Sequence, residues 1–131
     1  MDSNELAKEA GLNLRNLQNQ VTEAALEVQK NIGPGFSPED YCQALVYEFQ
    51  LRSIPFEREK NVKLPYKGNV AGQYKLDFVV KKKMILTVLS EDEISDSDRS
   101  KMRNFLKALD LGLGMVINFS REKVEIKAVY S

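Results

Sequence analysis

Residues 74–89 read Tyr74-Lys75-Leu76-Asp77-Phe78-Val79-Val80-Lys81-Lys82-Lys83-Met84-Ile85-Leu86-Thr87-Val88-Leu89. Tyr74, Leu76, Phe78 and Val80 alternate with Lys75, Asp77 and Val79, the period of a strand with one covered face. Lys81-Lys82-Lys83 is a charged reversal. Met84 to Leu89 then runs apolar on both faces, which marks a central strand covered on two sides. An amphipathic strand turning into a fully covered one calls for a sheet flanked by helices.

Those helices are legible on either side. Upstream, Leu14, Leu17, Val21, Ala24, Ala25 and Val28 recur at steps of three and four, which predicts a helix from Asn13. Residues 1–12 are polar, with Gly11 among them, and read as a flexible or loosely docked arm ahead of a single domain over 13–131. Gly33-Pro34-Gly35 ends the first helix. Ser37 is a good N-cap, Pro38 suits the first helical position and Asp40 falls three after the cap. The second helix presents Tyr41, Ala44, Leu45 and Phe49 and breaks at Ser53-Ile54-Pro55. Phe56 to Tyr66 is a partly exposed strand, its end pushed to an edge by Pro65. Downstream of the central strand, Ser90 to Asp98 is an acidic connection. Met102, Phe105, Leu106 and Leu109 give a third helix that Gly112 and Gly114 are expected to stop. Met115 to Phe119 is a buried strand. Val124 to Tyr130 is a last one with a wet side. The order is α-α-β-β-β-α-β-β, an α/β domain with a mixed sheet of about five strands.

Composition bounds the chemistry. With 131 residues, 43% apolar and 29% charged, the chain can bury about two-thirds of its extended surface around one core. Lysine plus arginine number 19 and aspartate plus glutamate 19, a balance that argues against generic phosphate binding as the main task. There is one cysteine, Cys42, and no histidine. An internal disulfide, the usual zinc sites and the histidine triads are thereby excluded. No apolar run reaches the length of a membrane span, and Met1-Asp2-Ser3-Asn4-Glu5 does not read as a secretory signal. A cytoplasmic protein is expected.

Four stretches carry a resemblance to a known family. They are Ala24-Ala25-Leu26-Glu27-Val28-Gln29-Lys30 with Gly33-Pro34-Gly35-Phe36; Tyr41, Ala44-Leu45 and Glu48 with Arg52-Ser53-Ile54-Pro55-Phe56-Glu57; Tyr74 to Val80; and Asn104-Phe105-Leu106-Lys107-Ala108 with Leu113 to Phe119. Together they resemble the GxxExxY family of small bacterial and archaeal proteins, within the PD-(D/E)XK, or restriction-endonuclease-like, superfamily. The resemblance implies that fold, and a chemistry of metal-dependent phosphodiester cleavage. In that chemistry two carboxylates on adjacent strands hold Mg²⁺, and a lysine two residues beyond the second assists the nucleophile.

The chain departs from that pattern. Asp77 matches the strand aspartate. Ten and twelve residues later, where Glu-x-Lys belongs, stand Thr87 and Leu89. The family's helix glutamate falls at Pro38; Glu39 is one position late, a turn of about 100° round the helix. The glutamine common at the start of the third helix is Lys101. The resemblance therefore implies a catalytically silent relative acting as a binding or protein-interaction module, with no cofactor. Thr87 and Leu89 are expected to pack the old cleft shut, with Asp77 kept by a hydrogen bond or by solvent.

Two alternatives stand beside it. One is a nuclease with a migrated site on Asp77, Glu39 and Glu91, which needs Mg²⁺ or Mn²⁺. The other is a nucleic-acid binder without catalysis, using Arg99, Lys101, Arg103 and Lys107. The bland accounts are simpler: Glu39 and Asp40 complement the helix dipole, the basic face is solvated or ion-paired, and Cys42 is a buried core thiol. Small domains of this fold often pair and the last strand offers an edge, so a homodimer is expected.

Overall fold

The helical spacing at Leu14 and Leu17 is continuous with the polar residues before it. In the computed structural model, whose described residues are 2–120 and 122–131, helix α1 spans Ser3–Ile32. The helix expected from Asn13 thus starts ten residues earlier. Asp2 caps it by accepting from the Glu5 amide at 2.8 Å, and a mid-helix glycine costs only about 1 kcal/mol, so Gly11 does not end it. Residues 2–13 are nonetheless exposed. The buried stripe begins at Leu17 and continues through Val21, Ala24, Ala25 and Val28.

Gly33, at φ 78°, closes α1. Helix α2 (Pro38–Leu51) opens on a capping box in which Ser37 and Asp40 each satisfy the other's backbone amide. Tyr41 locks this corner. Its hydroxyl donates to the Gly33 carbonyl at 2.7 Å and accepts from the Phe36 amide at 3.3 Å. Its ring stacks on Phe119 with centroids 4.4 Å apart.

Five strands follow: β1 (Phe56–Tyr66), β2 (Asn69–Val80), β3 (Met84–Leu89), β4 (Leu113–Asn118) and β5 (Glu125–Tyr130), with helix α3 (Asp96–Leu109) between β3 and β4. They form one sheet in the order β1-β2-β3-β4-β5, antiparallel except for the β3–β4 pair. A parallel pair needs a crossover, and α3 supplies it. Several boundaries differ from the sequence reading: β4 is Leu113–Asn118 rather than Met115 to Phe119, and β5 starts at Glu125 rather than Val124. β2 begins at Asn69, because Lys67 and Gly68 both take positive φ in a tight hairpin turn. Gly114 is not a helix stop: α3 closes on the left-handed Asp110, and Gly114 lies inside β4, where a Cβ would collide with Met102 of α3.

The central strand is covered on both sides. Met84, Leu86 and Val88 face α1 and α2, together with Leu45, Phe49, Phe78, Met115 and Ile117. Ile85 faces α3, together with Val79, Met102, Leu106 and Val116. β2 does not keep to one face. Phe78 and Val80 pack on the α1–α2 side, but Leu76, of the same parity, packs on the α3 side. The switch falls at Asp77. β1 and β2 pair at Arg58–Phe78 and at Lys60–Leu76, skipping Glu59 and Asp77 between them, and Glu59 has a φ of 53°. β2 pairs with β3 only from Phe78 to Val80. Beyond that point β1 and β2 leave the sheet as a two-stranded ribbon that folds over α3, where Tyr74 meets Phe105 at 5.6 Å between centroids.

Candidate functional site: the cleft where two strands part

Where β2 peels away from β3 a cleft of about 240 Å³ opens against α3. Asp77, Thr87 and Leu89 line it together, and Lys101 joins them from α3. The strand pairing therefore brings the four vestigial strand and helix positions named from sequence to one place. Glu39 is not among them.

Asp77 stands at the head of the cleft. Its Oδ2 accepts from the Val88 amide at 2.8 Å, doing for β3 what the vanished β2 backbone would have done. Burial pushes its carboxyl above the ordinary 3.8, although the Val88 amide and Arg58 pull the other way. Arg58 does not bond the carboxylate. Its Nη1 donates to the Asp77 carbonyl at 2.8 Å, its Nη2 to Glu39 Oε1 at 3.0 Å, and its guanidinium lies 4.8 Å over the Phe78 ring. Glu39 is held at the surface by this pairing, its side chain 70% exposed. Cys42 is buried behind the site, and burial with the nearby Asp77 charge pushes its thiol up to about 12. A thiol so placed is not a nucleophile at neutral pH.

The expectation that Thr87 and Leu89 seal the cleft fails. Both are only half-buried, and the diverging ribbon holds the space open. Two more carboxylates line it, Glu91 and Asp98. Glu91 is raised by desolvation and by a hydrogen bond with Asp98. Asp98, despite some desolvation, is held low by the amide and hydroxyl of Ser95 and by Glu91 and Lys101. The two are thus engaged with each other at the α3 end of the cleft.

The pair of strand carboxylates that the fold uses to hold a divalent cation is not reproduced by Asp77 and Thr87. Mg²⁺ wants near-octahedral oxygen donors and is usually held by one or two carboxylates plus substrate phosphate. Here Asp77 has one oxygen committed to an amide, Thr87 offers a neutral hydroxyl, Leu89 offers nothing, and the cleft's other two carboxylates, Glu91 and Asp98, are engaged with each other at its α3 end. Among the described residues no three acidic or thiol side chains close round a common point.

The basic face expected on α3 is dispersed. Of its four residues only Lys101 lines the cleft, where Lys75 of β2 joins it. Arg99 pairs with Asp96 at 3.7 Å, while Arg103 and Lys107 point to solvent. Sequence reasoning missed three residues here. Tyr74, read as a strand position, comes to Lys101, whose Nζ lies 5.1 Å from its ring centroid. Arg58 carried no signal in a strand of mixed charge. Asn118 did carry one, a polar residue inside an apolar run. It is 2% exposed, accepts from the Glu91 amide and donates to the Glu91 carbonyl, both at 2.9 Å, and so clamps the connection from β3 to α3.

Comparison with known proteins agrees with this geometry. A search of the curated proteins finds no match. A solved structure described as "Crystal structure of SSO0001" superposes with a TM-score of 0.57 over 71% of this chain, at 10% identity. At that identity the likeness is one of fold alone. The chain covers 49% of that protein's length. No described helix is long and apolar enough to cross a membrane. A family model described as PD-(D/E)XK nuclease superfamily matches residues 15–129, from the first buried turn of α1 into β5. With the mixed sheet, the parted strands and an aspartate at their fork, the chain belongs to the PD-(D/E)XK nuclease superfamily.

Proposed function

We propose that this chain is a PD-(D/E)XK domain without cleavage activity, serving as a binding or protein-interaction module. The observation that carries the proposal is the trio at the fork. Asp77 gives an oxygen to the Val88 amide, and the facing strand sets Thr87 and Leu89 into the same cleft. Loss of an acid–base group alone costs about 10²–10⁴ in rate, and here a metal ligand goes with it. The motifs from Ala24 to Phe36 and around Tyr41 support the narrower assignment to the GxxExxY group. There the tyrosine's part in this chain is to lock the α1–α2 corner.

The test is a titration of Mg²⁺ and of Mn²⁺ against plasmid, single-stranded DNA and RNA, with Asp77→Ala as control. Silence across the series is expected. Turnover that follows added metal, stops with chelator and is lost in Asp77→Ala overturns the proposal in favour of the migrated nuclease.

A homodimer in the cytoplasm completes the proposal. Its support is β5, an edge strand of the sheet. Light scattering on a gel-filtration column is expected to return twice the chain mass; a monomer mass removes the dimer.

A further inference from the structure

We infer that the groove between the β1–β2 ribbon and α3 docks an acidic peptide segment of a partner protein through one aliphatic anchor, an inference that rests on the binding-module proposal. Beside the cleft, and separate from its carboxylates, lies a cavity of about 80 Å³. Val62, Leu64 and Tyr74 of the ribbon and Phe105 and Ala108 of α3 give it apolar walls, and Asn104 also borders it. Lys63 and Lys101 stand on its rim, and no acidic residue borders it. Leu64 and Tyr74 remain exposed at 41% and 38%. A hole of this size with greasy walls admits one branched aliphatic side chain.

The charge on the ribbon side of it has one sign, while Asp98 and Glu91 lie beyond Lys101 in the neighbouring cleft. Residues 61–75 of the ribbon hold Lys63, Lys67 and Lys75 and no acid, although the whole chain is neutral. A positive ribbon on a neutral protein favours an acidic partner and steers it at low salt. A single nucleic-acid strand is the poorer fit. Bases stack on open aromatic faces, and here Lys67 lies over Tyr66 at 5.5 Å and Lys101 over Tyr74 at 5.1 Å. Phe105 takes a further share of Tyr74. Tyr74 is thus no free platform for a base; Tyr66, 61% exposed, lies outside the hole, and an oligothymidylate tests stacking there.

The experiment is fluorescence anisotropy on the full chain with a labelled peptide of four glutamates, one leucine and four glutamates. The same peptide with a central alanine and a labelled oligothymidylate run beside it. Binding of the leucine peptide is expected to weaken with salt and to fall about tenfold or more when leucine becomes alanine. Ala108→Phe, at an exposed helix position, fills the hole and is expected to cause a similar loss. Lys63→Glu with Lys101→Glu, both at the surface, is expected to abolish binding, with circular dichroism confirming the fold of each variant. No saturable binding of the leucine peptide, indifference to both the alanine peptide and Ala108→Phe, or tighter binding of the oligothymidylate overturns the inference. Failure here in a protein that also cuts nothing removes the groove alone; metal-dependent cleavage removes the proposal beneath it.

Discussion

Oδ2 of Asp77 lies 2.8 Å from the amide nitrogen of Val88, just past Phe78–Leu86, the last backbone pair joining β2 to β3. The carboxylate replaces a missing rung. Asp77→Ala leaves the Val88 amide without that acceptor and is expected to cost about 1–3 kcal/mol. Asp77→Asn keeps an acceptor and is expected to cost less. Urea melts of the three proteins give the order, and an alanine variant as stable as the native chain contradicts it.

The same residue sets a pH dependence. Burial raises its carboxyl above 3.8 in the fold, so between that value and the raised one the native state binds more protons than the unfolded. Its contribution to stability is full below pH 3.8 and is lost as pH rises through the raised value. Asp77→Asn has no proton to lose. The stability difference between native chain and Asp77→Asn is therefore expected to move in asparagine's favour as pH climbs from 3 towards 7. A difference constant over that range counts against the burial account.

Restoring the lost pair examines the cleft from the other side. Thr87→Glu with Leu89→Lys places an acid and an ammonium beside Asp77. Without metal the double variant is expected to be less stable by about 1 kcal/mol, from the lost half-burial of Leu89. Mg²⁺ is expected to stabilise it by about 1.4 kcal/mol for each tenfold excess over Kd, and not to stabilise the native protein. Equal Mg²⁺-dependent shifts in thermal melting of both proteins contradict the account of the site.

Asn118 holds the β3–α3 connection by two hydrogen bonds to the Glu91 backbone. Asn118→Ala is expected to cost about 1–3 kcal/mol, since a buried amide and carbonyl lose their partner. Hydrogen exchange at the Glu91 amide is expected to accelerate well beyond that at Leu86 in mid-strand. Uniform acceleration across the sheet is the contrary result.

Gly114 and Met102 form a tight contact across the α3 face. Gly114→Ala is expected to destabilise by about 1–3 kcal/mol through overpacking. Met102→Ala frees the space, so the two substitutions combined are expected to cost less than their sum. Strict additivity in a double-mutant cycle refutes the contact.

The sequence carries most of the sheet, because local signals set those elements. The alternation before Val80 and the doubly apolar run after it place β2 and β3. The Ser37 box places α2, and the family resemblance puts Asp77, Thr87 and Leu89 on one side of the sheet. What could not be read was non-local. The switch of faces at Asp77 falls opposite the left-handed Glu59, a strand away, and nothing in a two-residue period announces it. That switch is why the cleft stays open when Thr87 and Leu89 suggested closure. It also brings Tyr74 to Lys101, residues far apart in the chain. The first turns of α1 were lost to a weaker cause: polar residues with one glycine satisfy helix and coil equally well until a cap such as Asp2 decides.

The sheet keeps the two apolar clusters on opposite sides, one under α1 and α2 and the other under α3. Truncations such as Phe49→Ala and Leu106→Ala remove atoms from compartments that share no side chain. Their penalties add rather than multiply through a common void. Sequence drift on the α3 side can thus proceed without renegotiating the opposite layer, which leaves the ribbon and its groove free to be reshaped on a scaffold that stays put.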